Sequence, residues 1–122
     1  MRLVIAEDEI ILAIMLRQQL EGEGVEVVGI APNGKVALDL CHQHRPDAVL
    51  MDIRMPLMDG FEATRRIMAE CPARVVMLTA MRGPDVAARA EEVGAAACLM
   101  KPSDTNEILD ALRADGAAAE EG

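Results

Sequence analysis

Five short apolar runs, each followed by a polar turn and then a segment of helical period, constrain this chain more than any other feature. The runs are "LVIA" (3–6), "VEVVGIA" (25–31), "DAVLM" (47–51), "RVVML" (74–78) and "AACLM" (96–100). Between them, apolar residues recur on one face: Leu12, Leu16 and Leu20; Val36, Ala37, Leu40 and Cys41; Phe61, Thr64 and Met68; Val86, Ala90 and Val93; Ile108, Leu109 and Leu112. Such spacing predicts amphipathic helices. Strands that are apolar throughout and alternate with helices predict a parallel sheet covered on both sides, hence an α/β fold. Right-handed crossovers leave few arrangements, and the common one for five strands is the doubly wound, flavodoxin-like order 2-1-3-4-5.

Length and composition agree with one domain over 1–114. The small acidic residues of 115–122, "DGAAAEEG", predict a flexible tail. Of 122 residues 52% are hydrophobic, but Phe61 is the sole aromatic, so the core must be aliphatic. A formal charge of -9 argues against direct nucleic-acid binding, which depends on clustered Lys and Arg. Cys41, Cys71 and Cys98 are odd in number and widely spaced, which predicts buried thiols and neither a disulfide framework nor a zinc site. The apolar start "LVIA" meets acid after four residues, too short for a signal peptide, and no run reaches membrane-spanning length. A cytoplasmic location with no membrane partner is the expectation.

The predicted order brings the carboxyl ends of the strands to one edge, where ligands bind at the switch point between the first and third strands. Standing there are Glu7 and Asp8, then Asp52, Thr79 and Lys101. Carboxylates a few ångströms apart repel and take up protons unless something positive joins them. Magnesium suits such a site because it prefers oxygen ligands, keeps several waters and takes one or two carboxylates plus phosphate oxygens. Asp52 is then a candidate nucleophile toward phosphorus, with magnesium, Lys101 and the Thr79 hydroxyl sharing the equatorial oxygens.

Glu7-Asp8 after the first strand, "MDIRMPLMDG" around Asp52, "LTA" at 78–80 and "MKP" at 100–102 stand in the order and spacing of a known family. Over residues 2–113 the chain resembles the receiver domains of bacterial two-component response regulators, related to the chemotaxis protein CheY. The resemblance implies a phosphorylatable signalling switch, with Asp52 as phosphoacceptor and Thr79 and Lys101 contacting the phosphoryl group. It further implies Asp8 and Asp52 as direct magnesium ligands, Glu7 acting through water, and the Arg54 carbonyl as a backbone ligand. Lys101 would be oriented by a cis peptide before Pro102. The implied partners are a sensor histidine kinase or histidine phosphotransfer protein, and a separate downstream target reached through the face of helix four, strand five and helix five. Apart from accepting and slowly losing its own phosphoryl group, such a single-domain regulator is no enzyme.

Each motif alone admits a plainer reading. Glu7, Asp8 and Glu9 could form the negative first turn of a helix, Lys101-Pro102 a solvated loop, and Thr79 an ordinary strand end. A turn accounts for Pro56 and Gly60 but not for Asp52 at a strand end. Two other functions share parts of the set. A haloacid-dehalogenase-type phosphatase also uses an Asp nucleophile and magnesium, but resembles D-x-D, where this chain has Arg54 two residues after Asp52. A receiver can also act unphosphorylated as a binding module. The clearest departure from the family is Cys98, where an aromatic relay residue usually stands, together with Ser103 in place of a frequent Phe. Elsewhere, His42 and His44 read as cations complementing a helix end, Met51, Met77 and Met100 as core filler, and Asp104 with Glu107 as a capping box.

Overall fold

A computed structural model of the chain describes residues 1–121, with side chains through residue 113. Its elements alternate: β1 (Arg2–Ala6), α1 (Ile10–Glu21), β2 (Glu26–Ala31), α2 (Gly34–His44), β3 (Ala48–Met51), α3 (Gly60–Glu70), β4 (Arg74–Thr79), α4 (Pro84–Glu92), β5 (Ala97–Met100) and α5 (Thr105–Glu121). The acidic tail expected over 115–122 lies outside the residues whose side chains are described. The five strands form one parallel sheet in the order β2-β1-β3-β4-β5, as anticipated.

Because successive side chains of a strand face opposite ways, each strand feeds two cores. Val4 and Ala6 of β1, Val49 and Met51 of β3 and Val75 and Met77 of β4 pack against α2, α3 and α4 through residues such as Ala37, Phe61, Ile67 and Val86. Leu3 and Ile5, Ala48 and Leu50, and Val76 and Leu78 face the other way, onto Ala13, Leu16 and Leu20 of α1 and Ile108, Leu109 and Leu112 of α5. Met51 and Met77 are fully buried, so they fill the core as expected. Met100 does not, being half exposed. It lies at the end of β5, an edge strand, where Arg82 Nη1 approaches its sulfur at 3.4 Å.

Side-chain caps start three of the helices. Asn33 Oδ1 accepts from the Val36 N–H at 2.9 Å to open α2, and Asp59 Oδ1 accepts from the Glu62 N–H at 2.9 Å to open α3. At α5 the reciprocal box forms, with the Glu107 N–H donating to Asp104 Oδ1 at 2.8 Å and the Asp104 N–H to Glu107 Oε1 at 3.1 Å. Gly60 is needed for a tertiary reason. Its N–H donates to the Ile53 carbonyl at 2.8 Å, and a Cβ there would collide with the Asp52 carbonyl, so α3 is seated directly on the segment after β3.

Candidate functional site

The sheet edge assembles the predicted residues from four loops. The Glu7 N–H donates to the Ala31 carbonyl and the Asp52 N–H to the Ala6 carbonyl, both at 2.9 Å, so the ladder continues one residue past β1 and β3. Both acids are thereby fixed by backbone geometry. The Lys101 N–H donates to the Thr79 carbonyl at 2.7 Å, which ties the end of β5 to the end of β4. The Lys101–Pro102 peptide is cis. Asp8, Glu9, Asp52, Arg54, Thr79, Ala80, Met81 and Lys101 line one cleft of about 340 Å³.

Glu7, Asp52 and Thr79 are buried, whereas Asp8 is exposed at the mouth. Each of Glu7, Asp8 and Asp52 offers a carboxylate oxygen within 4.8 Å of the others. Lys101 Nζ lies 2.8 Å from Glu7 Oε1 and 3.4 Å from Asp52 Oδ2. The Asp52 Oδ1 atom accepts from the Ile53 N–H at 2.8 Å, and Glu7 Oε2 from the Glu9 N–H at 3.1 Å. Thr79 Oγ1 accepts from the Met81 N–H at 3.0 Å.

Charge and burial conflict here. Burial pushes the Glu7 carboxyl up to about 7, aided by the negative charge of Asp52, although the Lys101 ammonium and the Glu9 N–H oppose the rise. Burial alone would lower the Lys101 pKa, but its bond to Glu7 and the charge of Asp52 outweigh that, so it moves above the usual lysine range. Three carboxylates facing one ammonium leave an excess of negative charge that a hard divalent cation would neutralise. The all-oxygen donor set fits magnesium and lacks the nitrogen or sulfur that zinc favours.

Residues 3–113 match the family model of the response regulator receiver domain. This chain belongs to that family. The transcriptional regulatory protein PdtaR of Mycobacterium tuberculosis H37Rv is 40% identical over 111 residues, covering 91% of this chain and 54% of that protein. The chain thus spans about half the length of this relative. Protein CcdB of Bacillus subtilis is 36% identical over 112 residues, covering 91% of this chain and 93% of that one. A two-component response regulator of the LuxR family from Aurantimonas sp. SI85-9A1 superimposes with a TM-score of 0.88 at 33% identity, covering 96% and 85% of the two chains. A chain of the CheX–CheY–BeF3–Mg2+ complex from Borrelia burgdorferi gives 0.88 at 27% identity, covering 94% and 88%. Receiver domains are phosphorylation-dependent switches that bind magnesium at an acidic pocket, and the acidic group of this receiver is Glu7, Asp8 and Asp52.

The strand ends predicted Glu7, Asp8, Asp52, Thr79 and Lys101 at one edge, and the structure brings these five together there, with Arg54, which only the resemblance suggested, lining the same cleft. Sequence reasoning did not anticipate the direct Glu7–Lys101 pair, because nothing in a linear pattern states which acid a distant lysine will choose. The resemblance made Asp59-Gly60 part of the turn that leads from Asp52 into the third helix, and the structure adds what that pair does there. Asp59 is the cap and Gly60 the first residue of α3, packed against the Asp52 carbonyl. Met81 and Phe61 line a neighbouring cleft with Arg89, whose guanidinium carbon stands 4.1 Å from the Phe61 ring centre. Among the described residues, no helix is long and apolar enough to cross a membrane.

Proposed function

We propose that this receiver accepts a phosphoryl group on Asp52 from a phosphohistidine-bearing protein. The observation that carries the reading is the environment of that carboxylate. It is nearly buried, faces Lys101 across 3.4 Å, has one oxygen held by the Ile53 N–H, and opens into a cleft containing Asp8. An oxygen of Asp52 attacks phosphorus, the bond from phosphorus to the donor imidazole breaks, and an acyl phosphate forms. Lys101 exchanges one of its carboxylate partners for a phosphoryl oxygen. The Thr79 hydroxyl, which already accepts from Met81, has its proton to donate to another. Asp8 and Asp52 would hold magnesium directly, with Glu7 acting through water and Arg54 through its carbonyl. The cation supplies charge neutralisation at the equatorial oxygens.

Arg54, two residues beyond Asp52, supports a signal rather than phosphatase turnover, because no carboxylate stands there to activate water against the acyl phosphate. A protein-borne donor is supported by the start of α1. Ile10, Ile11, Ile14 and Met15 are exposed, and the groove that Ile10, Ile11 and Met15 help to line shares Glu9 with the phosphorylation cleft. Exposed clustered aliphatics beside a site mark a docking surface. Output would pass to a separate target through α4, β5 and α5. Cys98, partly buried on β5 opposite Met77, leaves the β4–α4 loop as the main route of change.

Incubation with acetyl phosphate and magnesium should add one phosphoryl group by intact mass, and removing magnesium with a chelator should prevent it. Asp52→Asn should abolish the addition. Equal labelling of that variant would place the acceptor elsewhere.

A further inference from the structure

The loop between β4 and α4 is tied to β5 by an arginine that stands outside the phosphorylation cleft. Arg82 Nη2 donates to the Lys101 carbonyl at 3.4 Å, and Arg82 Nη1 approaches the sulfur of Met100, the last residue of β5, at 3.4 Å. Lys101 is thereby held at both ends of its backbone, because its N–H donates to the Thr79 carbonyl at 2.7 Å. One residue before Arg82, the Met81 N–H donates to Thr79 Oγ1 at 3.0 Å. Met81 and Arg82 therefore join Thr79 and Lys101, the two residues proposed to touch the phosphoryl group, through the loop itself. The parts on either side of this tie differ in rigidity. Met100 is paired with Thr79 in the sheet and its carbonyl accepts from Ser103 Oγ at 2.7 Å, so its backbone is fixed while its side chain stands half exposed. Gly83, by contrast, has φ 119°, with open space where a Cβ would stand, and Pro84 begins α4 directly after it. Glycine takes that conformation without strain, which makes it the pivot of the loop.

We propose that Arg82 is a strap that holds the β4–α4 loop on β5 in the unphosphorylated receiver and lets go when Asp52 is phosphorylated. The inference rests on Asp52 as phosphoacceptor and on Thr79 as a phosphoryl contact. When the Thr79 hydroxyl turns into the cleft it draws Met81 with it, through the Met81 N–H, and Arg82 follows along the chain. Both contacts of Arg82 stand at the long end of hydrogen-bond range, so a displacement of a fraction of an ångström breaks them. A tie of this kind is worth a factor of about five in the balance between the two loop positions. That keeps the loop docked in the resting protein and is small enough for a phosphoryl group to overcome. Opening frees the Met100 side chain on the face of α4, β5 and α5. The state of Asp52 thus reaches β5 through an arginine of the loop, a route that does not depend on the small side chain of Cys98.

NMR of the full chain, labelled at its methionine methyls and backbone amides and titrated with beryllofluoride and magnesium, tests the strap. In wild type the amides of residues 79–83 and the Met100 methyl should shift together. In Arg82→Ala the Met100 methyl should stand near the wild-type bound position before any titration and then move little, while the amides of residues 79–81 still shift. Beryllofluoride should bind this variant about two- to fivefold more tightly, since no strap has to open, and Arg82→Lys, which keeps a donor, should fall between the two. Arg89→Ala, which removes the cation over Phe61 from another part of α4, should leave the Met100 response as in wild type. A Met100 methyl that is unmoved in wild type, or that moves equally in Arg82→Ala, overturns the strap, as does unchanged or weaker binding by that variant. The same Met100 signature in Arg89→Ala also overturns it, by making the effect a general loosening of α4. Wild type that shows no beryllofluoride shift at all, or Asp52→Asn that shifts as wild type does, refutes the Asp52 reading, and the strap falls with it.

Discussion

Replacing Glu7 with Gln should make the metal-free protein more stable, although it removes the 2.8 Å partner of Lys101. In the folded chain the Glu7 carboxyl is raised from 4.5 to about 7, chiefly by burial. The folded state therefore prefers the protonated acid. Stability is full below about pH 4.5, falls as pH rises toward 7, and stays reduced above that. Each tenfold change in proton affinity is worth about 1.4 kcal/mol, so ionised Glu7 costs the folded state on the order of 3 kcal/mol at about pH 8. Gln mimics the neutral acid, but its NH2 group must face either Lys101 Nζ or the Glu9 N–H, each now served by a carboxylate oxygen. That lost acceptor takes back about 1 kcal/mol, leaving a gain of about 2 kcal/mol. Urea denaturation in chelator, with equal m-values for the two proteins, should show this gain at about pH 8 and almost none at about pH 5. Magnesium should narrow the gap at the higher pH, because a bound cation supplies the charge that the ionised cluster lacks. The reasoning fails if the variant gains nothing at the higher pH, or gains as much at the lower.

Gly60→Ala tests the seating of α3. Helix propensity alone would favour Ala by roughly 1 kcal/mol, but the new Cβ meets the Asp52 carbonyl and the Ile53 Cα. A net loss of about 1–3 kcal/mol in denaturant titration is expected, with slower phosphorylation by acetyl phosphate, and a stabilised variant would refute the close approach. Cys98→Ser removes little surface, so the beryllofluoride complex, standing in for the phosphoryl group, should still shift NMR resonances of residues 79–90. Loss of those shifts with normal labelling of Asp52 would make Cys98 a relay.

The periodicities of the chain determined the alternation of strands and helices, the parallel sheet and its order. Apolar runs such as "LVIA" can be buried on both faces only between two helical layers, and chain handedness then leaves few windings. The same residues determined which groups could do chemistry, since an Asp, a Thr and a Lys at successive strand ends meet whenever those strands lie side by side. Packing decided the rest. Met100 reads as core but lies half exposed, because an edge strand has no neighbour beyond it. Gly60 reads as part of a turn, and packing adds that a carbonyl eight residues earlier in the chain requires it. Lys101 sits closer to Glu7, at 2.8 Å, than to Asp52, at 3.4 Å. A contact of that kind depends on distances between elements set by the summed volumes of the side chains beneath them. No local spacing encodes such a distance, so only the folded chain could supply it.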